Sequence, residues 1–198
     1  MCEVFRSHSC RNQPEPAQPR VQKVVESVAA KKGLPSLATQ YREAYRYDRA
    51  IEKLSAVLEL DSNFAPAHQG LGKTYESMGL WKLAIEAFQK SAALSHDSES
   101  LAALGHAYSA SGDRVHALKV VEQLQAQSAN SYVSPFDVAA VFTGLDDKNK
   151  AFSYLEQAYR ERDSRLPFLA VDHWFEPLHS DPRFVELCHR IGLPAVTV

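Results

Sequence analysis

The chain has 198 residues, 22 Lys and Arg against 24 Asp and Glu for a formal net charge of −2, and 45% hydrophobic and 23% charged residues. That balance gives no electrostatic footprint for nucleic acid or anionic membrane. No apolar run approaches the ~18–20 residues that span a bilayer, and three cysteines are too few for a disulfide framework.

In chain order, residues 1–19 come first. They are polar, carry Pro14, Pro16 and Pro19 and show no periodicity, so they read as a disordered tail. Arg6, His8 and Arg11 are followed by no apolar stretch, so the tail is not a secretory signal. Cys2 and Cys10 flank His8 but lack the second ligand pair that a tetrahedral zinc site needs, and they read as unpaired thiols. Val21, Val24, Val25 and Val28 then fall at i, i+3, i+4 and i+7. They predict an amphipathic helix over 20–30, stopped by Gly33 and Pro35 and serving as half of a degenerate unit or as an N-terminal cap.

Four columns of residues follow. Leu37, Leu71, Leu104 and Val138 form the first; Tyr41, Tyr75, Tyr108 and Phe142 the second. Ala50, Ala84, Ala117 and Ala151 form the third, and Leu54, Phe88, Val121 and Leu155 the fourth, every column stepping by 34, 33 and 34 residues. A period near 34 marks stacked helical hairpins, here over 31–64, 65–97, 98–131 and 132–165. Numbered within a unit, positions 7, 8 and 11 share a face of a first helix, and positions 20, 24 and 27 a face of a second. Position 8 is always small (Ala38, Gly72, Gly105, Ala139) and is expected to face the small position 20. Ser134-Pro135-Phe136-Asp137 reads as a helix start with cap, first-turn Pro and an acidic residue three after the cap. Residues 166–198 close the chain. Leu166–Leu178 is aromatic-rich and broken by Pro167 and Pro177, and Asp181-Pro182 opens a last helix ended by Gly192 and Pro194. Its stripe of Phe184, Leu187, Cys188 and Ile191 suits a terminal cap packed on Leu155, Ala158, Tyr159 and Trp174-Phe175.

Two features invite a chemical reading. Gly70-Leu71-Gly72-Lys73-Thr74 resembles the end of a phosphate-binding loop, but Ala67 stands where its first Gly belongs and the context is helical. His173, His179 and His189 lie near Asp172, Glu176 and Asp181 without metal-ligand spacing, and no nucleophile elbow or HExxH run occurs. No enzyme activity, cofactor or metal is expected.

Leu71-Gly72, Tyr75, Gly79, Ala84 and Phe88 of the second unit, with Leu104-Gly105, Tyr108, Gly112 and Ala117 of the third, carry the tetratricopeptide-repeat signature. The chain resembles that family over roughly residues 31–192. It departs from the pattern at Pro135, at Tyr45 and Asp146 in place of the inter-helix Gly, and at Ser62 and His96 in place of the final Pro. Tyr154–Tyr159, Phe175–Leu178, Ser180–Phe184 and Arg190–Pro194 further resemble the end of repeat arrays in large bacterial signalling proteins, linked there to winged-helix, cyclase or kinase domains.

The resemblance implies an all-α, right-handed solenoid of helical hairpins with a C-terminal capping helix. It also implies that first-helix positions 2, 5, 9 and 12 line a concave groove, which nominates Thr39, Arg42, Gln69, Lys73, Glu76, Ala102, His106, Ser109 and Phe136 as peptide contacts. His106 by itself reads as a solvated surface histidine. The Lys and Asn with which some family members grip a C-terminal carboxylate are absent at Pro35 and Thr39, and at Gln69 and Lys73. The expected function is a non-catalytic module binding a partner protein or peptide in this groove, with no direct nucleic-acid contact. The alternative is the sensor half of a bacterial regulator, packing on an output domain or binding a small ligand. The expected compartment is the cytoplasm, or the periplasm if the chain belongs to a membrane-anchored regulator.

Overall fold

One backbone conformation, repeated four times, sets the hairpins. Tyr45, Gly79, Gly112 and Asp146, all at position 15 of their units, have φ of 56°, 71°, 87° and 57°. In each unit the next residue's N–H returns to the carbonyl of position 11, as in Arg46 to Tyr41 (2.8 Å), Leu80 to Tyr75 (2.9 Å), Asp113 to Tyr108 (2.8 Å) and Asp147 to Phe142 (3.0 Å). This is a Schellman closure, which satisfies the last carbonyls of the first helix and turns the chain back. Gly adopts the left-handed conformation without strain. Tyr45 and Asp146 adopt it at a cost of roughly 1–2 kcal/mol for a residue with a Cβ, less for Asp, so the departures from the family pattern leave the turn unchanged.

The computed structural model describes residues 38–42 and 44–193. The tail over 1–19, the helix over 20–30, Pro35 and the column residue Leu37 lie outside the described residues. After helical residues 38–42 come α1 (Tyr47–Leu60), α2 (Ala65–Ser77), α3 (Trp81–Ser95), α4 (Ser98–Ala110), α5 (Arg114–Ser128), α6 (Pro135–Gly144) and α7 (Lys148–Glu161). Two 3-10 turns, Leu166–Phe168 and His173–Leu178, precede α8 (Pro182–Arg190). No strand occurs among the described residues. Helices pair within hairpins (α2 with α3, α4 with α5, α6 with α7), and α4 packs on α3 and α6, so the hairpins stack into an all-α solenoid.

The third and fourth columns are the centre of the core: Ala50, Ala84, Ala117 and Ala151, with Leu54, Phe88 and Leu155, are 0% exposed, and half-buried Tyr41, Tyr75 and Tyr108 pack against it. The partner of the small position 8 differs from expectation. A Cβ on Gly72 would lie 2.5 Å from the Phe88 ring, and one on Gly105 would lie 2.8 Å from Val120 and 2.9 Å from Val141 of the next unit. Position 8 is therefore small to seat bulk from positions 23 and 24 and from the neighbouring hairpin, because the aromatic needs the space that a second alanine would not. Ala84→Leu should overpack the second hairpin and cost about 1–3 kcal/mol. Exposed Glu86, two residues on, should tolerate Ala within about 0.5 kcal/mol. Thermal unfolding of the two variants compares them directly, and equal shifts would contradict the register.

The start of α6 also departs from expectation. Ser134 is its N-cap and Pro135 its first residue, but the Ser134 hydroxyl does not cap the helix. It donates to Asp163 Oδ2, while Asp137 pairs with Arg165 and accepts from Ser98 Oγ at 3.1 Å. Tertiary partners outcompete the local capping box here. At the far end α8 buries Phe184 (0% exposed), Leu187 (1%) and Cys188 (2%), as its stripe predicts. Arg190 forks onto Glu156 at 2.7 and 2.9 Å and lies over Tyr159, and Arg183 lies over Phe152.

Candidate functional site: the concave face

The first helices carry positions 5, 9 and 12 on one face, and the two ends of that face differ. Toward the N-terminus Thr39, Arg42, Gln69 and Lys73 are half-buried and line an open cleft. Gln69 Nε2 and Lys73 Nζ both donate to Glu99 Oε1, at 2.9 and 3.1 Å. Further on, Glu76, Ala102, His106, Ser109 and Phe136 are only 5, 0, 8, 7 and 1% exposed. Position 12 of unit two and positions 5, 9 and 12 of units three and four are closed.

The chain's own C-terminal turn, residues 165–179 with both 3-10 turns, closes them. Phe175 meets the Phe136 ring edge-on at 4.7 Å, and the Trp174 ring stacks on His106 at 4.9 Å and 24°. Trp174 Nε1 donates to Glu76 Oε2 at 3.1 Å across 98 residues of sequence. His106 Nδ1 lies 2.7 Å from Glu76 Oε1 and carries the proton, since an ionised carboxylate only accepts. His173 Nε2 lies 3.7 Å from Glu76 Oε2. Burial alone pushes the Glu76 carboxyl up, but hydrogen bonds and charge from His106 and His173 outweigh it and hold the group at about 2. The expectation of a solvated His106 fails: the ring is sandwiched between a buried carboxylate and an indole.

Two further carboxylates anchor the turn. Asp163 Oδ2 accepts from Tyr132 OH (3.2 Å) and Ser134 Oγ, while its Oδ1 accepts from the Arg165 backbone N–H (2.9 Å). Asp137 is 1% exposed, and burial pushes its carboxyl up to about 6 although Arg165 and Ser98 pull the other way. A folded-state value above the unfolded 3.8 gives stability that is fully present below about pH 4 and lost as pH rises through about 6. That rise corresponds to roughly 2–3 kcal/mol. Asp137→Asn should remove that part of the slope, read as urea midpoints between pH 4 and 7. An unchanged slope would mean that Arg165 keeps the carboxylate ionised throughout.

Between the turn and the open half lies a cavity of about 320 Å³, lined by Arg42, Lys73, Glu99, Arg165, Phe168 and Trp174 among others. The sequence profile described as Tetratricopeptide repeat matches residues 67–100 and 100–130. These are tetratricopeptide repeats. Comparison with curated protein sequences finds no match. Among solved structures the chain is similar to YrrB, "a TPR protein with an unusual peptide-binding site", at 18% identity and TM-score 0.48, covering 88% of this chain and 91% of that one. It is also similar to the APC/C hetero-tetramer Cut9–Hcn1, at 16% identity and TM-score 0.57, covering 84% of this chain and 35% of that one. A third is a putative kinesin light chain of Podosopora anserina with nearly identical TPR-like repeats, at 19% identity and TM-score 0.51, covering 84% and 94%. The likeness to the second and third structures, at this identity, is one of fold alone.

Within the array the phosphate-loop-like run sits in mid-α2. Its Gly72 seats Phe88, its Thr74 hydroxyl donates to the Gly70 carbonyl (2.7 Å), and its Lys73 pairs with Glu99. Sequence reasoning nominated none of Arg165, the last residue of the fourth unit, or Phe168, Val171 and Trp174 beyond it as groove contacts, yet all four wall the cavity. A signal existed: groove positions Ala102, Val133, Phe136 and Ala140 are apolar or small, an unusual lining for a wet groove.

Proposed function

We propose that the chain is a non-catalytic protein-interaction module that takes a peptide segment of a partner on the N-terminal half of its concave face. Stacked repeats of this kind offer an extended concave surface. The observation that carries the reading is the cavity between the array and the C-terminal turn. Phe168 and Val171 stand 60% and 79% exposed beside the charged side chains there, which is where an apolar anchor gains affinity by leaving water. Among the described residues no helix is long and apolar enough to cross a membrane.

Capture from lysate of the native cell, with the immobilised full chain, tests this. A partner held in the groove should be lost on Lys73→Glu, which places a second carboxylate beside Glu99, and kept on Glu86→Ala of α3. Retention by Lys73→Glu, or equal loss with both, would overturn the groove as the binding face.

A further inference from the structure

We propose that the C-terminal turn and the first two hairpins form one composite site for an acidic peptide segment bearing a large apolar side chain. This rests on the groove reading above and names the chemistry of its ligand.

The first argument is the distribution of charge. Three cations line the cavity, Arg42, Lys73 and Arg165, against two acids, Glu99 and Asp172. Glu99 serves two of the cations, at 3.1 Å from Lys73 Nζ and 3.9 Å from Arg165 Nη1, so a carboxylate already sits between them. Asp172 is turned back on its own segment, where it accepts the Trp174 backbone N–H at 3.1 Å. Arg42 lines the same cavity; its backbone carbonyl accepts from the Tyr45 N–H, but its guanidinium makes no hydrogen bond or ion pair with the described residues. A partly sheltered guanidinium without an acid favours a ligand carboxylate, which it can hold in a fork.

The second argument is apolar. Phe168 and Val171 project from the turn at the mouth of the cavity, and the Trp174 ring, with Lys73 Nζ 5.8 Å from its centroid, forms part of the wall. Acid and apolar features therefore meet within one small cavity. Arg165 is a positioning residue here. Its guanidinium is tied to buried Asp137 and lies 5.0 Å over the Phe136 ring, which holds the turn against α6. The site is incomplete without the turn, and it differs from the Lys and Asn arrangement that the groove lacks at Pro35 and Thr39.

The test uses the full chain, 15N-labelled, with three acetylated nonapeptides. One has a central Phe flanked by two Glu on each side, the second has Lys in place of those Glu, and the third has Ala in place of the Phe. The first peptide should shift the amides of Arg42, Lys73, Phe168 and Val171 and the Trp174 indole N–H. It should bind at least ten-fold more tightly than either other peptide, and should weaken as salt rises. Arg42→Ala and Phe168→Ala, both away from the buried core, should each reduce its binding about ten-fold while leaving the melting temperature near that of the parent chain.

Equal binding of all three peptides on the concave face would overturn this inference and leave the groove reading standing. Shifts confined to the convex side around Glu86 would overturn both. Absence of shifts with every peptide at millimolar concentration would overturn the inference, and the capture experiment then judges the groove reading separately.

Discussion

His106→Ala should cost about 3–5 kcal/mol of folding stability, far more than the loss of one neutral hydrogen bond. Glu76 is 5% exposed, and its carboxylate is held by His106 Nδ1 at 2.7 Å and Trp174 Nε1 at 3.1 Å. Removing the imidazole strands a buried charge with only the indole donor and His173, which stays 3.7 Å away. The Trp174 ring loses its stacking partner in the same step. Glu76→Leu/His106→Leu removes both charge and donor and fills the space, so the double variant should recover most of the loss. Urea unfolding of the parent, Glu76→Leu, His106→Leu and the double variant closes the cycle, with His106→Ala measured beside them.

The pH dependence of the same pair has a fixed sign. Glu76 titrates at about 2 in the fold against an ordinary 4.5, so its contribution is present above about pH 4.5 and lost as pH falls through about 2. That depression corresponds to roughly 3 kcal/mol, the same size as the loss expected for His106→Ala. A double variant no more stable than His106→Ala would show that packing, and not the stranded carboxylate, sets the cost.

The sequence carried the hairpins and not the closure of the groove, for a physical reason. Each column residue contacts its own or the adjacent hairpin, so the constraint repeats every 34 or so residues and can be seen without a structure. The Glu76–Trp174 contact spans 98 residues and occurs once, so no periodicity reports it. The composition of groove positions 102, 133, 136 and 140 held the clue, because Ala, Val, Phe and Ala in a water-filled groove are poorly matched to solvent. Ser134 and Asp137 misled in the opposite way. Their spacing fits a capping box, but Asp163, Ser98 and Arg165 offered buried partners that local geometry could not announce. Tyr45 and Asp146 show the limit of residue identity, since position 15 keeps a positive φ whichever side chain stands there.

Deleting residues 181–198 should unfold the C-terminal end of the array and leave its start intact. Helix α8 buries Phe184 and Leu187, each worth about 1.5–3 kcal/mol when fully removed from water. Its loss uncovers Phe152, Leu155 and Ala158 of α7, now 5, 0 and 0% exposed. It also removes the ring of Phe184, 4.7 Å from that of His179, against which the end of the C-terminal turn rests. Because the turn reaches back to Glu76, the disturbance should run further than a cap's immediate neighbour, loosening the Trp174 indole as well. In a solenoid stability is a sum of local and nearest-neighbour terms, so α1, α2 and α3 should keep their helices. Hydrogen exchange of the truncated chain should therefore show lost protection in α6, α7 and at the Trp174 indole N–H, with α2 and α3 protected as before. Uniform loss across all hairpins would mean that the Glu76–Trp174 contact makes the array a single cooperative unit. Unchanged protection in α7 would mean that α8 is not the cap.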